Sequence, residues 1–105
     1  MIRHCVLVRF RDDVPATERA AIHTDLEALR PVTDGMGKVH FSANVNPEPF
    51  ARGFSHGFVI DFRDAAARDA YLVHEDHQRA GARLVAALEG GTDGLMVFDL
   101  EFTEL

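Results

Sequence analysis

The chain has 105 residues, of which 47% are apolar, and its 11 Lys and Arg stand against 17 Asp and Glu for a net charge of −6. That is enough for one domain with one modest core. The acidic balance argues against a nucleic-acid partner, which requires a basic surface, and no apolar run reaches the roughly 18 residues of a membrane span. The single cysteine, Cys5, excludes an internal disulfide and fits a reducing, cytoplasmic setting.

The opening IRHCVLVRF, residues 2–10, reads as a strand. Ile2, His4, Val6, Val8 and Phe10 share one face, and Arg3, Cys5, Leu7 and Arg9 share the other. Both faces are apolar at mid-strand, as in a sheet covered on both sides. Arginines interrupt the stretch and no small-residue cleavage site follows, so no signal peptide is expected here. Residues 11–31 read as a helix, capped by Asp12 or Asp13, with Pro15 in the first turn and Pro31 at the end. Ala21, Ile22, Leu26 and Leu29 form its buried stripe, and His23 beside them is expected on the surface. After the turn TDGMGK, residues 39–45 alternate as a second strand through Val39, Phe41, Ala43 and Val45.

The loop NPEPFARG leads to a third strand, FSHGFVIDF, residues 54–62. Phe54, His56, Phe58, Ile60 and Phe62 line one face, and Gly57 on the other allows close approach of a further layer. Asp64 is a natural N-cap for the short helix AAARDAYL. A break falls near residues 73–76, and HQRAGARLVAALEG continues as a helix to Gly90. GTDGLMVFDLEF gives the last strand, with Met96, Phe98, Leu100 and Phe102 on one face. The order β-α-β-β-α-α-β predicts an α+β fold of the split β-α-β type, four antiparallel strands with helices on one side, as a single domain over residues 1–105. Cys5, Leu7, Val59, Leu95 and Val97 are expected to make the uncovered side apolar. A symmetric dimer packed sheet against sheet would cover it.

Three motifs carry a family resemblance: the histidine-bearing opening strand MIRHCVLVRF, the strand GFSHGFVIDF, and the junction AYLVHEDHQ, followed by the closing LMVFDLEF. They resemble the stress-responsive A/B barrel domain (Dabb) family of dimeric alpha-beta barrel proteins, over essentially the whole chain. That family carries a G-[YF]-[TS]-H strand and a Y-x-x-H-P-x-H junction; Glu75 stands here where the proline is usual. The resemblance implies a ferredoxin-like protomer whose sheets pair into a dimeric α/β barrel, in a stress-response setting. It includes a distant likeness to a plant polyketide cyclase that forms olivetolic acid by an intramolecular aldol step. The catalytic tyrosine and histidine of that enzyme fall on Tyr71 and His77, and two further pocket histidines fall on His4 and His56.

The residues themselves leave the chemistry open. His4 and His56 sit among large apolar side chains, where an imidazole needs partners for its ring nitrogens. They read either as a satisfied core pair on neighbouring strands or as a pocket lining. His77, Gly81, Leu84 and Leu88 fall on one helix face, which aims His77 at the sheet near Phe54 and Phe58. Gly81 beside it leaves room for a ligand or for close packing. In a pocket, His77 would act as general base and Tyr71 would donate to a developing oxyanion; otherwise both are structural.

The spacing of His74 and His77, with Glu75 and Asp76 between, invites a metal reading. The carboxylates read better as caps of the following helix, and no metal is expected. No cofactor is expected either. GGTDG at residues 90–94 follows a helix rather than a strand, and no phosphate-binding or nucleophile-elbow motif occurs. The expectation is a small homodimer binding a small apolar or aromatic carbonyl ligand. A cyclase or isomerase and an accessory protein-interaction subunit are the alternatives. A cavity joining His4, His56, Tyr71 and His77 would separate the first two.

Overall fold

The computed structural model describes residues 1–103. Its elements are β1 (Ile2–Val8), α1 (Ala16–Glu27), β2 (Met36–Ala43), β3 (His56–Phe62), α2 (Ala65–Val73), α3 (Glu75–Ala86) and β4 (Leu95–Glu101), with short 3-10 turns at Arg30–Val32 and Gly91–Gly94. The strands form one antiparallel sheet in the order β2-β3-β1-β4. This is the α+β, ferredoxin-like split β-α-β arrangement expected from the order of apolar periods.

The core lies between one face of the sheet and the helices. From the sheet come Val6, Val8, Val39, Phe58, Ile60 and Phe62; from the helices come Ile22, Leu26, Tyr71 and Leu84. Asp64 caps α2 as expected, its carboxylate accepting from the Ala67 N–H at 2.9 Å. The first helix is different. Pro15 itself occupies the N-cap with extended backbone, and neither Asp12 nor Asp13 caps it. Proline at that position fixes φ, and its carbonyl oxygen accepts from the Glu18 and Arg19 N–H groups at 3.0 and 3.2 Å. The helix also ends at Glu27, before Pro31, which sits in the following 3-10 turn.

Several strand limits shift. Phe10 lies beyond β1 and makes an isolated bridge to Leu88. β2 begins at Met36, with a register shift before Val39. At Gly37 a Cβ would stand 2.7 Å from the Asp61 carbonyl oxygen, so only glycine allows β2 to approach β3 there. Val45 lies outside the strand and is exposed.

The largest correction concerns β4. Met96 pairs with Leu7, Phe98 with Cys5 and Leu100 with Arg3, so this row shares the helix-free face with Cys5, Leu7 and Val59. Leu95 and Val97 point to the helix side, the reverse of the expectation, and Leu95 packs on the core. The row of Met96, Phe98 and Leu100 is wholly apolar, whereas Leu95 and Val97 share theirs with Asp99 and Glu101; both faces of this sheet are apolar, so alternation defines the period and does not say which face the fully apolar row takes. The open face remains apolar: Met96, Phe98 and Leu100 are 44%, 44% and 53% exposed.

Candidate functional site

The junction YLVHEDH is a helix-to-helix corner one residue wide. His74 ends α2 and begins α3 with extended backbone, and its Nδ1 accepts from the Asp76 N–H at 3.0 Å. The imidazole thus performs the capping expected of Glu75 and Asp76. His77, one turn into α3, folds back toward α2. Its Nδ1 lies 3.1 Å from the Leu72 carbonyl oxygen, an acceptor only, so Nδ1 carries the proton and Nε2 is left as the acceptor in the neutral ring. The Tyr71 ring lies 4.4 Å from the His77 ring, 5.1 Å from Phe62 and 5.8 Å from His4, centroid to centroid. Tyr71 is fully buried, and its hydroxyl has no hydrogen-bond partner.

Burial pushes the Tyr71 phenol far above its ordinary pKa. Burial lowers that of His77, and the neighbouring His4 adds to the shift, against the raising effect of the Leu72 carbonyl. At neutral pH the pair is therefore a protonated phenol beside a neutral imidazole, the protonation states that an oxyanion donor and a general base require.

His4 forms the floor beneath Tyr71. Its Nδ1 donates to Asp99 Oδ1 at 2.8 Å, and Arg68 donates to Asp99 Oδ2 at the same distance. Burial alone would raise the Asp99 carboxyl, but the Arg68 and His4 hydrogen bonds hold it below the usual carboxylate range. Asp99 and Arg68 were missed in the sequence, because Asp99 faces His4 only through the β1–β4 register. His56 is not part of this group. His4 pairs with Ile60 and His56 pairs with Val8, four residues along the sheet and roughly 13 Å apart. The two histidines are neither neighbours nor a core pair. His56 sits instead 2.9 Å from the Ser55 hydroxyl and edge-on to Phe10.

A groove of about 720 Å³ runs along β2 and β3. Of the residues expected to line a pocket it gathers His56, Phe54 and Phe58; His4, Tyr71, His77, Gly81 and Leu84 are not part of its lining. Phe54 precedes the strand and lies under the Arg9 guanidinium, 5.0 Å from ring centroid to Cζ. The groove also uses His23, which is not a free surface residue. Its Nε2 lies 2.9 Å from the Val39 carbonyl oxygen and its ring stacks on Phe41, which stacks in turn on Phe58. Leu84 belongs to the closed core, and a Cβ at Gly81 would meet nothing within 4 Å. Residues expected to share one cavity are thus divided between a packed Tyr71–His77–His4 cluster and a separate groove.

The imidazoles give a pH prediction. Burial lowers the folded-state pKa of both His56 and His77 below 6.5, with Arg19 assisting at His56. The unfolded chain then binds protons first as pH falls, so their contribution to stability is present above about pH 6.5 and lost on acidification through the folded-state values. Urea melts between about pH 5 and pH 8 should show wild type weakening toward acid. His77→Gln and His56→Gln should each show a flatter dependence; parallel curves would remove that histidine from the effect.

Among the described residues, no group of His, Cys, Asp and Glu is placed to hold a metal ion, and no helix is long and apolar enough to cross a membrane. The model of the Stress responsive A/B Barrel Domain matches residues 2–102. A dimeric ferredoxin-like protein of unknown function from Jannaschia sp. CCS1 is 34% identical over 96% of this chain and 98% of its own, with a TM-score of 0.88. The Arabidopsis thaliana protein At3g17210 is 22% identical over 100% and 98%, with a TM-score of 0.85. The hydroxynitrile lyase of Passiflora edulis is 19% identical over 99% and 94%, with a TM-score of 0.82. The last two show the fold alone. No curated protein matches the sequence. The likeness is to relatives across the family and not specifically to olivetolic acid cyclase.

Proposed function

The chain belongs to the stress responsive A/B barrel domain family, and from that premise we propose that it is a small homodimer that binds a small apolar or aromatic carbonyl compound in the groove along β2 and β3. One observation carries this reading. The groove has a volume suited to a modest organic molecule, aromatic walls in Phe41, Phe54 and Phe58, and a few imidazoles able to orient it. His56 supplies the hydrogen bond to the carbonyl oxygen, and the stacked Phe41 and Phe58 receive a ring. The dimer is supported by the open face of the sheet, where Met96, Phe98 and Leu100 stand exposed beside Cys5 and Leu7. Relatives from Jannaschia and Thermobifida fusca are themselves described as dimeric. Interfaces of the obligate kind commonly bury about 2,000 Å² or more in total. The single buried Cys5, free of any disulfide, supports a cytoplasmic setting.

The test is a titration with aromatic ketones and β-dicarbonyl compounds, followed by chemical shifts. The His23 and His56 ring signals should move together and saturate. His56→Ala should weaken binding about fivefold, the loss of one hydrogen bond. Saturable shifts confined to residues outside the groove would refute the assignment.

A second reading has its own observation: the buried, unpartnered Tyr71 hydroxyl beside the neutral His77 ring. In a cyclase or isomerase, His77 Nε2 would take a proton from an acidic C–H or O–H, and Tyr71 would donate to the oxygen that gains charge. With a turned-over substrate in hand, His77→Ala should lower the rate by about 10²–10⁴. A rate unchanged by that substitution would leave the cluster structural.

A further inference from the structure

We infer that the ligand of the groove is an anion, an aromatic compound whose carbonyl belongs to an ionised carboxylic acid, and that Arg19 on α1 is the residue that selects its charge. The inference rests on the ligand reading above and adds the chemical class of the ligand's polar end.

The side chains that hold the ligand belong to the helix-covered face of the sheet. Phe41 pairs with Phe58 and Ala43 with His56, while Phe58 pairs with Val6 and His56 with Val8. The helix α1 runs along the outer edge of β2 in the opposite direction. His23 reaches the Val39 carbonyl oxygen and stacks on Phe41, and one turn later Glu27 accepts from the Val39 N–H at 2.8 Å. Arg19 lies one turn before His23 on the same side of the helix, since residues four apart are neighbours there. A helical turn rises about 5.4 Å and two strand residues about 6.7 Å. Arg19 therefore comes to the level of Ala43 and of its partner His56. Its charge is felt at that place: burial first, and then the Arg19 guanidinium, lower the pKa of His56.

Arg19 is set apart by what it does not meet. Most arginines of this chain pair with a carboxylate. Among the described residues, the half-buried Arg19 guanidinium has one polar partner, the Val14 carbonyl oxygen, 3.0 Å from Nη1. The nearby carboxylates of α1 are committed elsewhere, because Glu18 and Asp25 both accept from Arg83 on α3. No Asp or Glu stands among the described residues that line the groove. In a chain of net charge −6, this leaves a guanidinium with donors to spare beside two imidazoles and a stacked aromatic pair. A guanidinium fork matches a carboxylate, and the bond is stronger than one to a neutral carbonyl. Arg19 donates to one carboxylate oxygen and His56 Nε2 to the other, while the ring lies against Phe41 and Phe58. A neutral ketone would leave the guanidinium without a counter-charge.

The experiment compares benzoate with acetophenone, which share a ring and differ by an ionised oxygen in place of a methyl group. Both are titrated at neutral pH into wild type and Arg19→Gln. The His23 and His56 ring signals report affinity, and far-UV circular dichroism reports the fold. Glutamine removes the charge and keeps an N–H donor for the Val14 carbonyl. Wild type should bind benzoate about tenfold more tightly than acetophenone, and Arg19→Gln should lose that preference with its affinity for acetophenone unchanged. Wild type that binds acetophenone as tightly as benzoate overturns the charge inference and leaves the ligand reading standing. A variant that keeps the preference, or that weakens both ligands alike, overturns Arg19 as the selecting residue. Binding of neither compound refutes the ligand reading and this inference with it. Should Arg19→Gln fail to fold, the wild-type comparison decides alone.

Discussion

Tyr71→Ala is expected to lower the stability by about 3–5 kcal/mol, whereas Tyr71→Phe is expected to leave it unchanged or raise it by about 1 kcal/mol. The ring fills a fully buried position between Phe62, His4 and His77, so removing it opens a cavity that its neighbours cannot collapse into without losing their own contacts. The hydroxyl is a different matter. It is buried and bonded to nothing, and a hydroxyl in that state costs free energy that phenylalanine at the same place does not. The two substitutions separate the packing role of Tyr71 from whatever its oxygen does. Denaturant melts at neutral pH measure both. A loss above about 1 kcal/mol in Tyr71→Phe would mean that the phenol has a stabilising partner, and the acid–base reading would lose its supporting observation. A gain would mark the oxygen as a group kept at the expense of stability, as functional groups often are.

The second large effect is expected at Asp99. Its carboxylate joins His4 on β1 to Arg68 on α2 and so ties the sheet to the helix that bears Tyr71. His4 is almost entirely buried, whereas Arg68 and Asp99 keep some contact with solvent. Asp99→Ala removes two charge-assisted hydrogen bonds and leaves the His4 Nδ1–H without an acceptor, at a cost of about 3 kcal/mol. Asp99→Asn keeps the shape and one acceptor oxygen, and should cost about half as much. Arg68→Ala should be milder still, because the His4 contact survives. Equal losses for Asp99→Ala and Arg68→Ala would show that the Arg68 contact carries the effect and that His4 is indifferent to Asp99.

The junction that defines the second reading was visible as a motif, and its geometry was not. Sequence spacing placed Tyr71 and His77 six residues apart across a helix break, and the structure brings their rings into contact. The same spacing gave no sign that His74, rather than Glu75 or Asp76, would cap α3. Caps are chosen by local φ and ψ as well as by residue type, and the extended backbone that ends α2 puts the His74 ring over the free N–H of Asp76. The groove was half legible: Phe54, Phe58 and His56 were named for a pocket, but in company with residues that lie elsewhere. His23 reads from the sequence as a surface residue, because a histidine beside an apolar stripe gives no sign of the strand it will meet.

By itself the amino-acid sequence determined the number, kind and order of the elements, the Asp64 cap and the helix-side rows of β1 and β3, and hence the ferredoxin-like α+β fold. These follow from periods of two and 3.6 residues and from cap chemistry, which operate over a few neighbouring positions. The tertiary structure alone decided the phase of β4, the separation of His4 from His56, the Arg68–Asp99–His4 link and the position of the groove. Each of these depends on register between strands distant along the chain; His4 and Asp99 are 95 residues apart. A one-residue slip exchanges the faces of a strand while leaving its alternation intact. In β4 the wholly apolar row of Met96, Phe98 and Leu100 fits either apolar face of the sheet, and local alternation does not choose between them. Packing of Leu95 on the core beside Val8 selected one of them and turned Met96, Phe98 and Leu100 toward the open face.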